Sequence, residues 1–139
     1  MRKTIVAALS ENHVIGANNR ITWHMPADVK HYHDTVNEKV VIMGRKTFAS
    51  SEVHPTVHKM IMITRQADYP LKEASKKFVE VATTIQSAFE KAKNYGIMEV
   101  FILGGGMIYK ETIDLADKMI LTHIKTIVQH GESFFPKID

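Results

Sequence analysis

Six short apolar runs punctuate the chain: Thr4–Leu9, Val40–Met43, Met60–Thr64, Phe78–Val81, Val100–Leu103 and Met119–Ile124. Most are continuous and rich in Val and Ile rather than alternating, the pattern of strands covered on both faces. Between them the spacing turns helical. Val29, Tyr32 and Val36 form a stripe behind Pro26, which suits the first position of a helix. Thr83 or Thr84 can cap a second helix that carries Ile85, Ala88, Phe89 and Ala92 and stops at Gly96. A third follows Gly106, with Ile108, Tyr109 and Ile113. Strands alternating with helices predict an α/β fold with a mostly parallel sheet. No repeat, low-complexity tract or linker interrupts the pattern, and 139 residues suit a single domain, 1–139.

Composition removes several function classes. With no cysteine there are no disulfides, thiolate zinc sites or thiol nucleophiles, which fits a reducing compartment. The net charge of +3 comes from scattered cations, without the basic stripe that nucleic acid requires. No run approaches a membrane span. Met1-Arg2-Lys3 and the apolar Thr4–Leu9 faintly mimic a signal peptide, but the stretch is short and meets Ser10-Glu11-Asn12-His13. It reads as a first buried strand, and the expected location is cytoplasmic. His31 and His33 face differently on a helix, and His54 and His58 flank a proline loop without an acidic cluster. The histidines therefore read as solvated, with no metal. Ser50-Ser51 lacks the glycine frame of a nucleophile elbow, and Met43, Met60 and Met62 fall on strands as core.

Chemistry concentrates where strands end, which is where open α/β sheets bind ligands. Val100–Leu103 runs into Gly104-Gly105-Gly106 and then a helix. Glycines there permit close approach of a ligand to backbone amides, although a tight structural turn accounts for them equally well. Val40–Met43 repeats the logic, ending at Gly44-Arg45-Lys46-Thr47 before a predicted helix, and a third strand end offers Thr64-Arg65. Two anion-suited ends plus an arginine on a third suggest one long ligand with several phosphates, specifically a phosphorylated nicotinamide dinucleotide. A separate feature is Trp23-His24-Met25-Pro26-Ala27-Asp28, an Asp in a first helical turn near an aromatic wall. It can hold a nitrogen-rich ring by paired hydrogen bonds, or simply favour the positive end of a helix.

Taken in order, these pieces resemble dihydrofolate reductase from the first strand almost to the last residue. The matching residues are Ala7-Ala8, Val14-Ile15-Gly16, Asn19, Trp23 with Pro26-Ala27-Asp28, Met43-Gly44-Arg45-Lys46-Thr47, Gly104-Gly105-Gly106 with Tyr109, Leu121-Thr122-His123 and Phe135-Pro136. The resemblance implies a three-layer α/β/α fold and hydride transfer from NADPH to dihydrofolate, giving tetrahydrofolate. Asp28, with Trp23 and Thr122, would be catalytic: Asp28 anchors the pteridine edge, assisted through Thr122, and promotes ring protonation. Val6, Ala7, Ala8, Val29, Tyr32, Phe48, His58 and Thr122 would meet the substrate. The cofactor would lie against Ala8, Ile15, Gly16, Asn19 and Ile21, with Ile15 through His24 as a closing loop. Gly44, Arg45, Lys46, Thr47, Thr64 and Arg65 would take its phosphates. Leu103, Gly104, Gly105, Gly106, Met107, Ile108 and Tyr109 would take its backbone.

Two departures qualify the resemblance. The family normally places an Arg just before the strand at Met60–Thr64 to grip the substrate's glutamate carboxylate, and here that position is His58, with Lys59 beside it. Loss of a bidentate contact costs about 1.5–3 kcal/mol of binding, which leaves room for a pterin without the usual tail. The family also continues past Phe134-Phe135-Pro136 into an antiparallel strand pair, whereas this chain stops at Asp139. C-terminal antiparallel strands are thus expected to be shortened or missing, leaving Met119–Ile124 as a sheet edge. The family is monomeric, but such an edge favours either a dimer that covers it or a shortened chain of reduced stability. The alternative functions are a same-fold reductase of another pterin or of a riboflavin-pathway pyrimidine, and a non-catalytic NADPH-binding remnant. Trp23 with Pro26-Ala27-Asp28 counts against the riboflavin branch.

Overall fold

A computed structural model describes residues 1–10, 14–16, 34–50, 57–66, 68–71, 73–124, 133–134 and 136; within it, 8–10, 14–16, 49–50, 73–74, 122–124 and 133–134 are described by backbone alone. Six strands form one parallel sheet: β1 (Arg2–Ser10), β3 (Val40–Gly44), β4 (Lys59–Ile63), β5 (Val79–Ala82), β6 (Glu99–Ile102) and β7 (Lys118–Ile124). Their order across the sheet is β5-β4-β3-β6-β1-β7. All six expected runs are strands, with ends shifted by a residue or two.

The Val/Ile richness of those runs has the expected cause: side chains on both faces are buried. Ile5, Ile42, Ile61 and Ile102 point into one core layer, against Ala88, Phe89 and Ala92 of α3 (Ile85–Lys93) and Ile108 and Tyr109 of α4 (Gly106–Thr112). Val6, Val41, Met43, Met60, Met62, Phe101 and Leu103 point into the other, with Val36 and the partly buried Phe48 of α1 (Arg45–Ser50). Each fully buried Ile or Met of this kind contributes about 1.5–3 kcal/mol.

Helix boundaries follow local chemistry. Thr84 Oγ1 accepts the Ser87 N–H at 3.0 Å and starts α3. Asn94 ends it, and Gly96, at φ 67°, turns the chain back towards β6. Residues 34–36 are helical, and Glu38 leaves that turn at φ 58°, followed by a 3.0 Å bond from Lys39 N–H to the Val36 carbonyl.

Three elements escaped the pattern reading. These are the one-turn α2 (Glu73–Lys76) and the strands β2 (Val14–Gly16) and β8 (Ser133–Phe134). Elements of two to four residues carry no measurable periodicity. β2 and β8 pair antiparallel in a small second sheet. Among the described residues the antiparallel pairing near the C-terminus is that of β2 with β8, and β7 has β1 as its one partner.

Candidate active site at the carboxyl ends of the strands

Because the six strands are parallel, their carboxyl ends share one edge of the sheet. The chain runs outward from β3 through β4 to β5 on one side, and from β6 past β1 to β7 on the other. The switch point, where connections diverge and leave a crevice, therefore lies between β3 and β6. Gly44 and Gly104 stand on its two sides.

These glycines are bonded directly: Gly44 N–H donates to the Gly104 carbonyl at 2.7 Å, just beyond the Leu103 N–H to Ile42 carbonyl bond of 2.8 Å. Close approach is what requires glycine here. A Cβ on Gly44 would lie 3.0 Å from Ile108 Cγ1, and one on Gly105 would lie 2.6 Å from Thr47 Oγ1. Gly104 has φ 111°, and a Cβ there would press on the Tyr109 ring at 3.1 Å. Helices α1 and α4 thus start side by side, with Thr47 of one against the backbone that opens the other.

On the next strand end, Gly44 is in register with Ile63, so Thr64 follows alongside. Thr64 is buried, and its hydroxyl accepts the Gln66 N–H at 3.3 Å, shaping the turn that presents Arg65. Arg45, Lys46 and Arg65 are exposed, and Thr47, Gly105 and Gly106 are half-buried. Three adjacent strand ends, β4, β3 and β6, thereby offer cations, a threonine and glycine backbone along one rim.

The β1 side is tied in by Tyr109. This side chain is buried, and its phenol donates to the Val6 carbonyl at 2.7 Å. Val6 and Ala7 are buried, and the backbone of Ala8 lies in register with that of Thr122 on β7. Leu103 is buried, Ile108 is almost so, and Met107 is 70 % exposed. His58 stands apart. It precedes β4 at the opposite end from Thr64, roughly 20 Å away by strand rise. There it is exposed, with its ring edge-on to Tyr95 at 6.4 Å. Ala8, Ile15, Gly16 and Thr122 are described by backbone only, and Asn19, Ile21, Trp23, Asp28, Val29 and Tyr32 lie outside the described residues.

The links that assemble this edge had no signal in the sequence. Gly44 bonds Gly104 across 60 positions of chain, and Tyr109, singled out as a cofactor contact, reaches Val6 across 103.

Residues 3–139 match the family model described as dihydrofolate reductase. The chain belongs to the dihydrofolate reductase family. It is 38 % identical over 140 residues to the dihydrofolate reductase of Neisseria meningitidis (serogroup A), spanning 100 % of this chain and 82 % of that one. The Haemophilus influenzae dihydrofolate reductase is 33 % identical over 141 residues, covering 100 % and 81 %. Dihydrofolate reductase HdrB of Haloferax volcanii is 30 % identical over 144 residues, covering 100 % and 73 %. In a dihydrofolate reductase family member, the edge where β4, β3 and β6 end is the candidate active site.

Proposed function

We propose that this chain catalyses the reduction of 7,8-dihydrofolate to 5,6,7,8-tetrahydrofolate with NADPH. The observation that carries the reading is the bonded pair Gly44–Gly104 at the switch point, flanked by Arg45, Lys46 and Arg65. The donor set fits a phosphorylated dinucleotide: guanidinium and ammonium groups for phosphates on β3 and β4, and half-buried glycine backbone on β6. NADPH, when bound, supplies the hydride. The chain's own residues position the rings. Lys46, Thr47, Thr64 and Arg65 hold the phosphates, and Leu103 through Tyr109 support the dinucleotide backbone. Val6, Ala7 and Ala8 line the substrate ring, and Asp28, assisted through Thr122, binds its amino and amide edge. Asp28 also favours protonation of the ring nitrogen beside the carbon that is reduced, which is electrostatic stabilisation of developing charge.

The direct test is the loss of NADPH absorbance when dihydrofolate is added. Asp28→Asn should leave NADPH affinity nearly intact and cut turnover by at least about a hundredfold, the scale of one acid–base contribution, with partial recovery at low pH. Unchanged turnover in that variant removes the assigned role. Tight NADPH binding without turnover in the native chain identifies the non-catalytic reading instead.

A further inference from the structure

The chain has no cysteine, so methionines carry all of its sulfur. They divide sharply by exposure. Met43, Met60 and Met62 lie in the core at 1 % exposure or less, where an oxidant reaches them only through unfolding. Met98, Met107 and Met119 are exposed, at 88 %, 70 % and 36 %. Met98 sits just before β6 and Met119 near the start of β7, so both belong to the end of the sheet away from Gly44 and Gly104. Met107 alone of the three stands at the candidate active site.

Its place there follows from the helix. Gly105 caps α4, Gly106 is its first residue and Met107 its second. Gly105 and Ile108 are three apart and share one side, which faces α1 and the end of β3: a Cβ on Gly105 meets Thr47, and one on Gly44 meets Ile108. Met107 is turned outward from them, on the solvent side with the exposed Lys110 and Glu111. Long side chains on a helix lean towards its N-terminus and cover the turn before their own Cα. For Met107 that turn is Gly104-Gly105-Gly106. Among the described residues it is the one exposed large apolar side chain at this end of the sheet, on the rim that also carries Arg45, Lys46 and Arg65. A thioether is soft and packs well against an aromatic ring, whereas its sulfoxide is polar and presents an acceptor oxygen. Oxidation there removes the apolar contact and sets that oxygen against the phosphates of the ligand.

We infer, resting on the cofactor site proposed above, that Met107 is an oxidation site through which peroxides weaken NADPH binding, and that bound NADPH shields it. In the step, the Met107 sulfur attacks one oxygen of hydrogen peroxide with a lone pair. The S–O bond forms, the O–O bond breaks, and the departing oxygen leaves as water after proton transfer. The thioether is oxidised to its sulfoxide and the peroxide is reduced to water.

The test treats the full chain with dilute hydrogen peroxide, with and without saturating NADPH, and follows each methionine by peptide mass. Met107 and Met98 should both gain one oxygen in the free chain. NADPH should slow the reaction of Met107 at least about tenfold, because a saturated site is rarely vacant, and leave Met98 as it was. After the peroxide is removed, NADPH affinity by fluorescence titration should have fallen at least about threefold, the scale of one lost thioether–ring contact. Met107→Leu, compared with itself before and after treatment, should keep its affinity, and Met98→Leu should lose affinity as the native chain does. Equal oxidation of Met107 with and without NADPH overturns the inference. So does a fall in affinity that persists in Met107→Leu, which assigns the effect to another methionine. An untreated chain that binds no NADPH overturns the cofactor reading together with this one, whereas tight binding without protection of Met107 overturns this one alone.

Discussion

Gly105 and Thr47 meet where the two helices begin, and their contact is tight enough to predict a paired result. A Cβ placed on Gly105 falls 2.6 Å from Thr47 Oγ1. Gly105→Ala should therefore destabilise by about 1–3 kcal/mol, the usual range for overpacking, read as a lower urea midpoint. Adding Thr47→Ala removes the clashing oxygen and should restore most of that loss, while NADPH affinity should stay reduced if Thr47 takes a phosphate as proposed. Full additivity of the two single losses would show that the contact is not the cause. Tyr109 makes a second prediction. Tyr109→Phe keeps the ring packing on Gly104 but leaves the buried Val6 carbonyl without its 2.7 Å donor. The expected loss is about 1–3 kcal/mol in urea unfolding, since an unpaired buried acceptor costs its desolvation.

Among the elements, α3 shows how local chemistry and packing divide the work of holding one helix. Thr84→Ala should cost about 0.5–2 kcal/mol through the lost cap, without touching the apolar stripe of Ala88, Phe89 and Ala92. Just past its C-terminus, Tyr95 donates to Glu80 Oε2 of β5 at 2.6 Å, and Lys91 reaches Glu80 Oε1 at 3.2 Å. Burial alone would raise the Glu80 carboxyl, but Tyr95, Lys91 and the charge of Lys59 hold it below its ordinary value. Burial and the adjoining carboxylate push the Tyr95 phenol up to about 12. The signs follow. Stabilisation from Glu80 is complete above its ordinary value of 4.5 and fades as pH falls through the lowered one. Stabilisation from Tyr95 is complete below 10.0 and fades as pH rises towards about 12. Both groups are partly solvated, so each limb is worth less than about 1 kcal/mol. In Tyr95→Phe the alkaline limb of urea stability against pH should flatten, and an unchanged slope there would assign it to another group. Such elements were unevenly legible. The six main strands and α3 were readable because buried Val/Ile runs and a capped 3.6-residue stripe are properties of contiguous sequence. β2, β8 and α2 were too short to have a period, and the Glu80–Tyr95 bond joins a strand to the turn after a helix. The site divides in the same way. Gly44, Gly104 and their cations were visible as strand-end motifs, whereas the bonds that weld them together depend on strand order, which no local pattern specifies.

At the scale of the whole molecule, strand order has a thermodynamic consequence. β6 lies beside β3 in the sheet yet far from β3 and β4 in the chain, and a dinucleotide bound as proposed along the three strand ends would touch all of them at once. No partly unfolded form that frees one of those strands keeps the full site, so binding free energy adds to global stability rather than to a local segment. NADPH at about a hundred times its dissociation constant should raise unfolding stability by about 2.7 kcal/mol. The rise should appear as a parallel shift of the urea curve with its slope unchanged, because the surface exposed on unfolding stays the same. Arg65→Ala should shrink that shift through weaker binding while leaving the NADPH-free midpoint in place, since Arg65 is exposed. A curve that instead splits into two steps when NADPH is added would mean that the ligand holds only part of the sheet, and that the three strand ends do not form one site.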